Sequence, residues 1–342
     1  MPEIDLRSDT MTRPTPAMRR AMAEAEVGDD VWREDPTTRR LEAAVAERFG
    51  REAAMFVPSG TMGNQVCLRV AAAAGTELLC GEDNHVVWYE SGAAAALSGI
   101  QVHTIPTERG RLRAANVAPR LRSAIYGAPT SAVAVEQTHN RGGGTITPLD
   151  DLVALHELTG QAGVHLHCDG ARIWNAAVAT GIDLADWGAA VDSLSVCFSK
   201  GLAAPVGSAV VGDADFVERA RRARQQLGGG MRQVGVLAAA AQVAIDTMVE
   251  RLADDHANAA ALAATVGAAV PGAVDPAQVE TNIVMLDARA FGTDAPGLAA
   301  RLAERGVGAL PVDPAQVRLV FHWEVDAGAA ARAAAAVVDC AA

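Results

Sequence analysis

The sequence predicts an α/β fold: a mostly parallel sheet with helices on both faces, followed by a smaller α+β domain. Three observations carry this. Short apolar runs bounded by Gly, Pro, Asn or Asp recur through the first two thirds of the chain, and helical stretches lie between most of them. After about residue 240 the pattern changes to long helix with fewer, shorter strands. Strands alternating with helices argue for a parallel sheet with crossover helices.

In chain order, the first 15 residues are polar and proline-containing and read as an arm rather than a strand of the main sheet. Strands are expected at 52–57, 77–80, 132–136, 164–168, 193–198 and 208–211. Helices are expected at 64–74 and 149–159, and the alanine-rich patches 71–74, 93–96 and 329–336 also read as helix, because alanine is the best helix former. Residues 238–267 read as one long helix, with strands following at 281–286 and 318–323. The expected domains are an arm over 1–15, a large domain over 16–245 and a small one over 246–342. No internal repeat or low-complexity linker interrupts this.

Composition narrows the function classes. Of 342 residues, 50% are hydrophobic, enough for a sizeable core, which excludes a disordered chain. The 29 basic against 41 acidic residues give a net charge of −12, a poor match to nucleic acid or an anionic membrane surface. Five scattered cysteines without a C-x-x-C pair read as reduced thiols rather than a disulfide framework or a zinc site. With no apolar leader and no apolar run of membrane-spanning length, the expectation is a cytoplasmic protein.

Ligands of such sheets bind at the carboxyl ends of strands. One strand ends in Ser199-Lys200-Gly201. A lysine there either snorkels to water or has a reason to lose its charge. An amine of pKa about 10.4 is almost wholly protonated at neutral pH, so Schiff-base chemistry needs a drop of about 3 units, which desolvation can supply. A second strand, Val164-His165-Leu166-His167-Cys168, runs into Asp169-Gly170-Ala171-Arg172, and period two puts His165, His167 and Asp169 on one face. The His-x-His pair lacks further ligands at a metal spacing, so no metal site is expected. Asp169 and Lys200 together match pyridoxal phosphate, which needs a lysine for its aldehyde and a carboxylate that keeps the ring nitrogen protonated. Ser59-Gly60-Thr61 after a strand and at a helix start supplies hydroxyls and close backbone approach for a phosphate. His85, at another strand end, can set an imidazole on the cofactor ring.

At this point the chain resembles the low-specificity L-threonine aldolases, aspartate-aminotransferase-like pyridoxal-phosphate enzymes. The likeness runs over nearly the whole chain through DLRSDTMTRPT, VGDDVWREDPTTRRLE, PSGTMGNQ, EQTHNRGGG, LHCDGARIWNA, SKGLAAPVGS, LGGGMRQVG and VRLVFH, in that order. The resemblance implies pyridoxal-phosphate fold type I, with a mostly parallel seven-stranded sheet. It implies that Lys200 holds the cofactor and Asp169 pairs with its ring nitrogen. Arg172 reaches the phenolic oxygen and the substrate carboxylate. Ser59, Gly60 and Thr61 hold the phosphate, joined across a subunit interface by Arg232, and His85 stacks on the ring. Ser8 and Arg318 clamp the substrate carboxylate; from the residues alone these two read as a solvated arm and a surface ion pair. A homo-oligomer with shared sites, a tetramer built of dimers, is implied as well. Three departures stand out: Trp32-Arg33 in place of Tyr-Gly, Tyr126 where many relatives carry a histidine near the substrate β-carbon, and Gln225 where some carry lysine.

The expected reaction is retro-aldol cleavage of a β-hydroxy-α-amino acid to glycine and an aldehyde. His85 is the first candidate for the base that takes the β-hydroxyl proton, because imidazole titrates near neutral pH; His139 and Tyr126 are further candidates. Alternatives on the same scaffold are a β-eliminating lyase and a catalytically silent cofactor-binding protein.

Overall fold

The computed structural model describes residues 2–123 and 125–341. Twelve strands occur among them: β1 (Ile4–Asp5), β2 (Ala53–Val57), β3 (Glu77–Gly81), β4 (Gln101–Ile105), β5 (Thr130–Glu136), β6 (His165–Gly170), β7 (Ser193–Cys197), β8 (Ser208–Gly212), β9 (Ile283–Asp287), β10 (Val307–Gly308), β11 (Leu310–Pro311) and β12 (Gln316–Val320). Seven form the central sheet in the order β2-β8-β7-β6-β5-β3-β4. All are parallel except β8, which pairs antiparallel with both β2 and β7. The carboxyl ends of β2, β3, β5, β6 and β7 therefore converge on one edge of the sheet.

Alternation along the strands builds a core on each face. Ala54 and Phe56 of β2, Leu79 of β3, Val133 and Val135 of β5, and Leu166 and Cys168 of β6 enter one large cluster. Met55, Val57, Leu78, Ala132 and Ala134 point the other way into two smaller clusters. His165, His167 and Asp169 share that second side, under the helix Gly60–Ala71, as the period-two reading requires.

The C-terminal third has its own core, in which Leu262, Val284, Leu298, Leu319 and Val337 meet. Here β11, β12 and β9 form an antiparallel sheet. The N-terminal arm joins this core through Ile4 and Leu6, and β1 pairs with β10 instead of the central sheet. No described helix is long and apolar enough to cross a membrane.

Three expectations change. The single helix over 238–267 is two, Gly235–Thr247 and Leu252–Ala269, because Ile245 and Leu252 pack in the large core while Ala259 and Leu262 pack in the other. The helix starting at Gly60 stops at Ala71 and Ala72 is extended, so 72–74 is not helix; the chain turns there through Gly75 at φ +83° into β3. The edge strand β4 was not expected at all, since Gln101, His103 and Thr104 keep it polar and partly exposed.

Candidate active site

The site is assembled from the converging strand ends. β2 delivers Ser59-Gly60-Thr61 to the first turn of the helix Gly60–Ala71, where N–H groups have no intrahelical partner and favour an anion. The Ser59 hydroxyl caps Met62 N at 3.2 Å, and Ser59 and Thr61 stay exposed. Gly60 is required: a Cβ there would lie 2.7 Å from Cys197 Sγ. β3 delivers His85, whose backbone N–H donates to Glu136 Oε2 at 2.7 Å. Glu136, at the end of β5, also accepts from Asn140 N at 2.8 Å and so ties two loops together. β6 delivers Asp169 and β7 leads to Lys200, which is half-buried. Lys200 is the only lysine in the chain.

Asp169 is buried, with its Oδ2 accepting from Asn64 Nδ2 at 2.7 Å and its Oδ1 from Ala171 N at 3.1 Å. Burial pushes its pKa up, but His85, the Lys200 charge and the Asn64 hydrogen bond outweigh this and hold it below the usual range. It is thus ionised, as an anchor for a protonated ring nitrogen must be. His85 Nδ1 lies 2.7 Å from Glu90 Oε1. Burial lowers the imidazole, yet Glu90 and Asp169 leave it net raised.

The two arginines differ. Arg172 is buried and its Nε and Nη2 donate to Asp9, each at 2.7 Å. Burial opposes ionisation of Asp9, and Arg172, Lys200 and Arg318 together bring it to about 2. Arg318 is equally buried but has no carboxylate partner among the described residues. Its Nη1 donates to Asn140 Oδ1 at 2.5 Å and its Nη2 to Arg7 O at 3.1 Å, while its Nε is buried without a partner. Burial, and then Arg172, push it down to about 10. A buried guanidinium that Asp9 offsets only at a distance, with no paired carboxylate, can receive an anion. Arg172 is neutralised by Asp9, whereas Arg318 keeps a buried N–H without a partner.

Ser8 caps the turn Asp9–Met11, its Oγ accepting from Thr10 N at 3.2 Å, directly after Arg7. Lys200 acts electrostatically on His85, on Asp169 and on Asp9, and Arg172 and Arg318 act on Asp9, so the chain brings these six together around Lys200 and Asp9. It does not bring in Arg232, which is exposed and paired with Asp29 at 3.1 Å, or Tyr126, which is fully exposed. His139 is buried in a turn, its Nδ1 accepting from Gly142 N at 2.9 Å. His165 and His167 bond Ser193, not a metal-like cluster with Cys168. Sequence reasoning did not single out Asp9, Asn64, Glu90 or Glu136. The first, second and fourth lie inside motifs already quoted; nothing around Glu90 marks it.

The residues fit pyridoxal phosphate: a glycine cradle that a Cβ would fill, an ionised buried acid, a single lysine, and an orphaned Arg318 Nε for the amino-acid carboxylate. Comparisons agree. The sequence profile of the β-eliminating lyases matches residues 5–290. A probable low-specificity L-threonine aldolase 2 of Arabidopsis thaliana is 42% identical over 330 residues, covering 94% of this chain and 92% of that protein. The low specificity L-threonine aldolase of Escherichia coli (strain K12) is 42% identical over 326 residues, covering 94% of each. Among solved structures, Leishmania major threonine aldolase superposes with a TM-score of 0.85 at 21% identity, covering 99% of this chain and 100% of that one. A Sphingomonas wittichii serine palmitoyltransferase shares the fold at a TM-score of 0.76 and 19% identity, covering 98% and 86%. The chain belongs to the β-eliminating lyase family, among its low-specificity L-threonine aldolases.

Proposed function

We propose that this protein is a pyridoxal-phosphate-dependent aldehyde-lyase that cleaves L-threonine, L-allo-threonine and related β-hydroxy-α-amino acids to glycine and an aldehyde. The carrying observation is the sole lysine, Lys200, set electrostatically against the ionised Asp169, beside a buried Arg318 that has no paired carboxylate among the described residues. When bound, pyridoxal phosphate supplies an aldehyde for the lysine and a protonated ring that accepts the electrons of the Cα–Cβ bond.

This chain's residues do the rest. Ser59, Gly60 and Thr61 hold the phosphate and Asp169 the ring nitrogen. Arg318, whose Nη2 donates to the carbonyl of Arg7 next to Ser8, would bind the substrate carboxylate together with Ser8 and so fix the orientation of the amino acid at Cα. Arg172, held by Asp9, keeps its remaining edge for the phenolic side of the cofactor. His85 takes the β-hydroxyl proton as the carbon–carbon bond breaks, its raised basicity suiting that role.

We further propose a cytoplasmic homo-oligomer, a tetramer of dimers in which Arg232 and Tyr126 serve a neighbour's site. The exposure of both, together with that of Trp32 and Trp88, supports this. Five unpaired, buried cysteines favour a reducing compartment. The separate C-terminal core supports a two-domain division, with Leu252 still in the large core and Ala259 in the other, so the division falls between these two residues.

Incubation with L-threonine should yield glycine and acetaldehyde. Formation of 2-oxobutanoate and ammonia instead would assign a β-eliminating lyase. Borohydride reduction of the holoenzyme should leave the cofactor on the peptide containing Lys200, and Lys200→Ala should lose both the adduct and turnover; an active Lys200→Ala enzyme refutes the reading.

A further inference from the structure

A second buried acid stands beside the site. The Glu90 side chain is fully buried, yet no arginine or lysine pairs with it among the described residues. It accepts from Asn64 Nδ2 at 2.7 Å and Gln65 Nε2 at 2.5 Å, and faces His85 Nδ1 at 2.7 Å. Burying a carboxylate without a full counter-charge is costly, so these three contacts demand a reason.

The proton positions follow from donor and acceptor chemistry. The Asn64 amide lies between two carboxylates, its Nδ2 at 2.7 Å from both Glu90 Oε1 and Asp169 Oδ2. Carboxylate oxygens only accept, so the NH₂ must face them, one N–H to each; the reversed amide would set an oxygen against two anions. Asn64 Oδ1 then faces His167 Nε2 at 3.2 Å, which must carry the proton. His167 Nδ1 is left as a lone pair that accepts from the Ser193 hydroxyl at 3.0 Å. That hydroxyl accepts in turn from His165 Nε2 at 2.8 Å. Burial brings His167 down to about 4 and lowers His165 as well, so both are neutral near pH 7, as this pattern needs. One unbroken and fully assigned network runs from His165 to His85.

At its far end, Glu90 Oε1 can only accept from His85, so Nδ1 carries the hydrogen. Nε2 is left as the nitrogen free to take a proton. The ligand atoms of His85, Glu90 and Asp169 lie within 4.8 Å of one another, a spacing a cation could use, but the Asn64 N–H groups already serve both carboxylates.

We propose that Glu90 is a positioning residue of the cleavage reaction: it locks His85 as the Nδ1–H tautomer, and the Asn64 amide ties that state to the Asp169 carboxylate. The proposal rests on the aldolase reading and on His85 as the proton acceptor. One network then sets both the base and the anchor of the ring nitrogen. The charged groups facing His85 are Glu90 at Nδ1, Asp169 and Lys200 from the neighbouring strand ends, and Glu136 at its backbone N–H; the Tyr89 ring lies 5.3 Å away. Of these, Glu90 makes the direct side-chain contact.

Glu90→Gln removes the negative charge while keeping the size. The His85 titration, followed by NMR of ¹³Cε1-histidine-labelled holoenzyme and assigned with His85→Asn, should move down by about one pH unit. The acid limb of the kcat/KM profile should follow it downward, because a weaker base stays unprotonated to lower pH. The kcat plateau should fall about tenfold, and this loss should vanish when Glu90→Gln is placed in a His85→Asn background. Glu90→Asp, which keeps the charge on a shorter arm and serves if the glutamine variant folds poorly, should give an intermediate midpoint. An unmoved His85 titration, or equal losses in both His85 backgrounds, overturns this inference alone. A His85→Asn enzyme with unchanged kcat overturns the base assignment, and this inference with it.

Discussion

Asp9 and Arg172 are a buried, bidentate ion pair in which the guanidinium is the first of the charges that keep Asp9 ionised. Removing one partner from such a pair costs about 3–5 kcal/mol, because the remaining charge stays buried. Asp9→Asn should therefore lower stability by that order and leave Arg172 free to turn. The pH dependence follows from the sign of the shift. Asp9 sits at about 2 in the folded chain against an ordinary 3.8, so its stabilisation is present above pH 4 and lost as pH falls through 2. That difference is about 2 kcal/mol in full, of which about 1 kcal/mol is gone by pH 3. Urea unfolding of wild type and Asp9→Asn should show their gap narrowing by that amount between pH 5 and pH 3; a constant gap means Asp9 is not the ionised partner. Residues like this were hard to see in the sequence. Lys200 and Asp169 were legible because a charge at the end of an apolar strand has few uses. Asp9 in Arg-Ser-Asp-Thr reads as a turn-capping acid, and its partner lies 163 residues away. Glu90, between Tyr89 and Ser91-Gly92, reads as a surface turn; only folding reveals that Asn64 and Gln65 meet it.

The helix Gly60–Ala71 carries both the proposed phosphate cradle at its first turn and Asn64 one turn later, so its seating on the sheet bears on both. Gly63 fixes that seating: a Cβ there would lie 2.2 Å from Ser195 Oγ and 3.2 Å from Ser195 Cβ. Alanine is favoured over glycine inside a helix by about 1 kcal/mol, but over-packing costs about 1–3 kcal/mol and here meets a central strand. Gly63→Ala should thus lower Tm and, by lifting the first turn, weaken pyridoxal phosphate by up to about tenfold in a fluorescence titration. Adding Ser195→Ala removes the closer clash and should restore most of both; a higher Tm in Gly63→Ala alone would mean the helix does not sit on β7 so closely. The strands around it were readable because β3, β5 and β7 are buried almost throughout and carry short apolar runs such as Leu78-Leu79-Cys80 and Ala132-Val133-Ala134-Val135 between turn residues. The edge strand β4 was not, since it has one solvated side and reads Gln-Val-His-Thr-Ile. The break near residues 248–251 carries no Gly or Pro; it is imposed by packing on two cores, which local sequence does not encode.

One chain by itself leaves much apolar surface uncovered. Tyr126 is fully exposed, Ile125 is 92% exposed and Trp32 73%, more than a stable soluble surface ordinarily leaves bare on large side chains. The proposed phosphate cradle is also electrically incomplete: Ser59, Gly60 and Thr61 bring hydroxyls and N–H groups but no cation, while Arg232 stands on the surface with Asp29 as its one ion-pair partner among the described residues. A two-fold dimer repairs both deficits if each Arg232 completes its neighbour's cradle, since an isologous interface supplies the residue twice. This arrangement has a consequence that no single-chain site shares. Lys200→Ala and Arg232→Ala should each be nearly inactive alone. When the two are unfolded together, mixed in equal amounts and refolded, half the dimers are hybrids. Each hybrid contains one site with an intact Lys200 and an intact neighbouring Arg232, and one site lacking both. Activity should therefore return to about a quarter of wild type. Light scattering of the same mixture must give at least a dimer mass. If mixing restores nothing while each variant still forms dimers, Arg232 does not act across the interface.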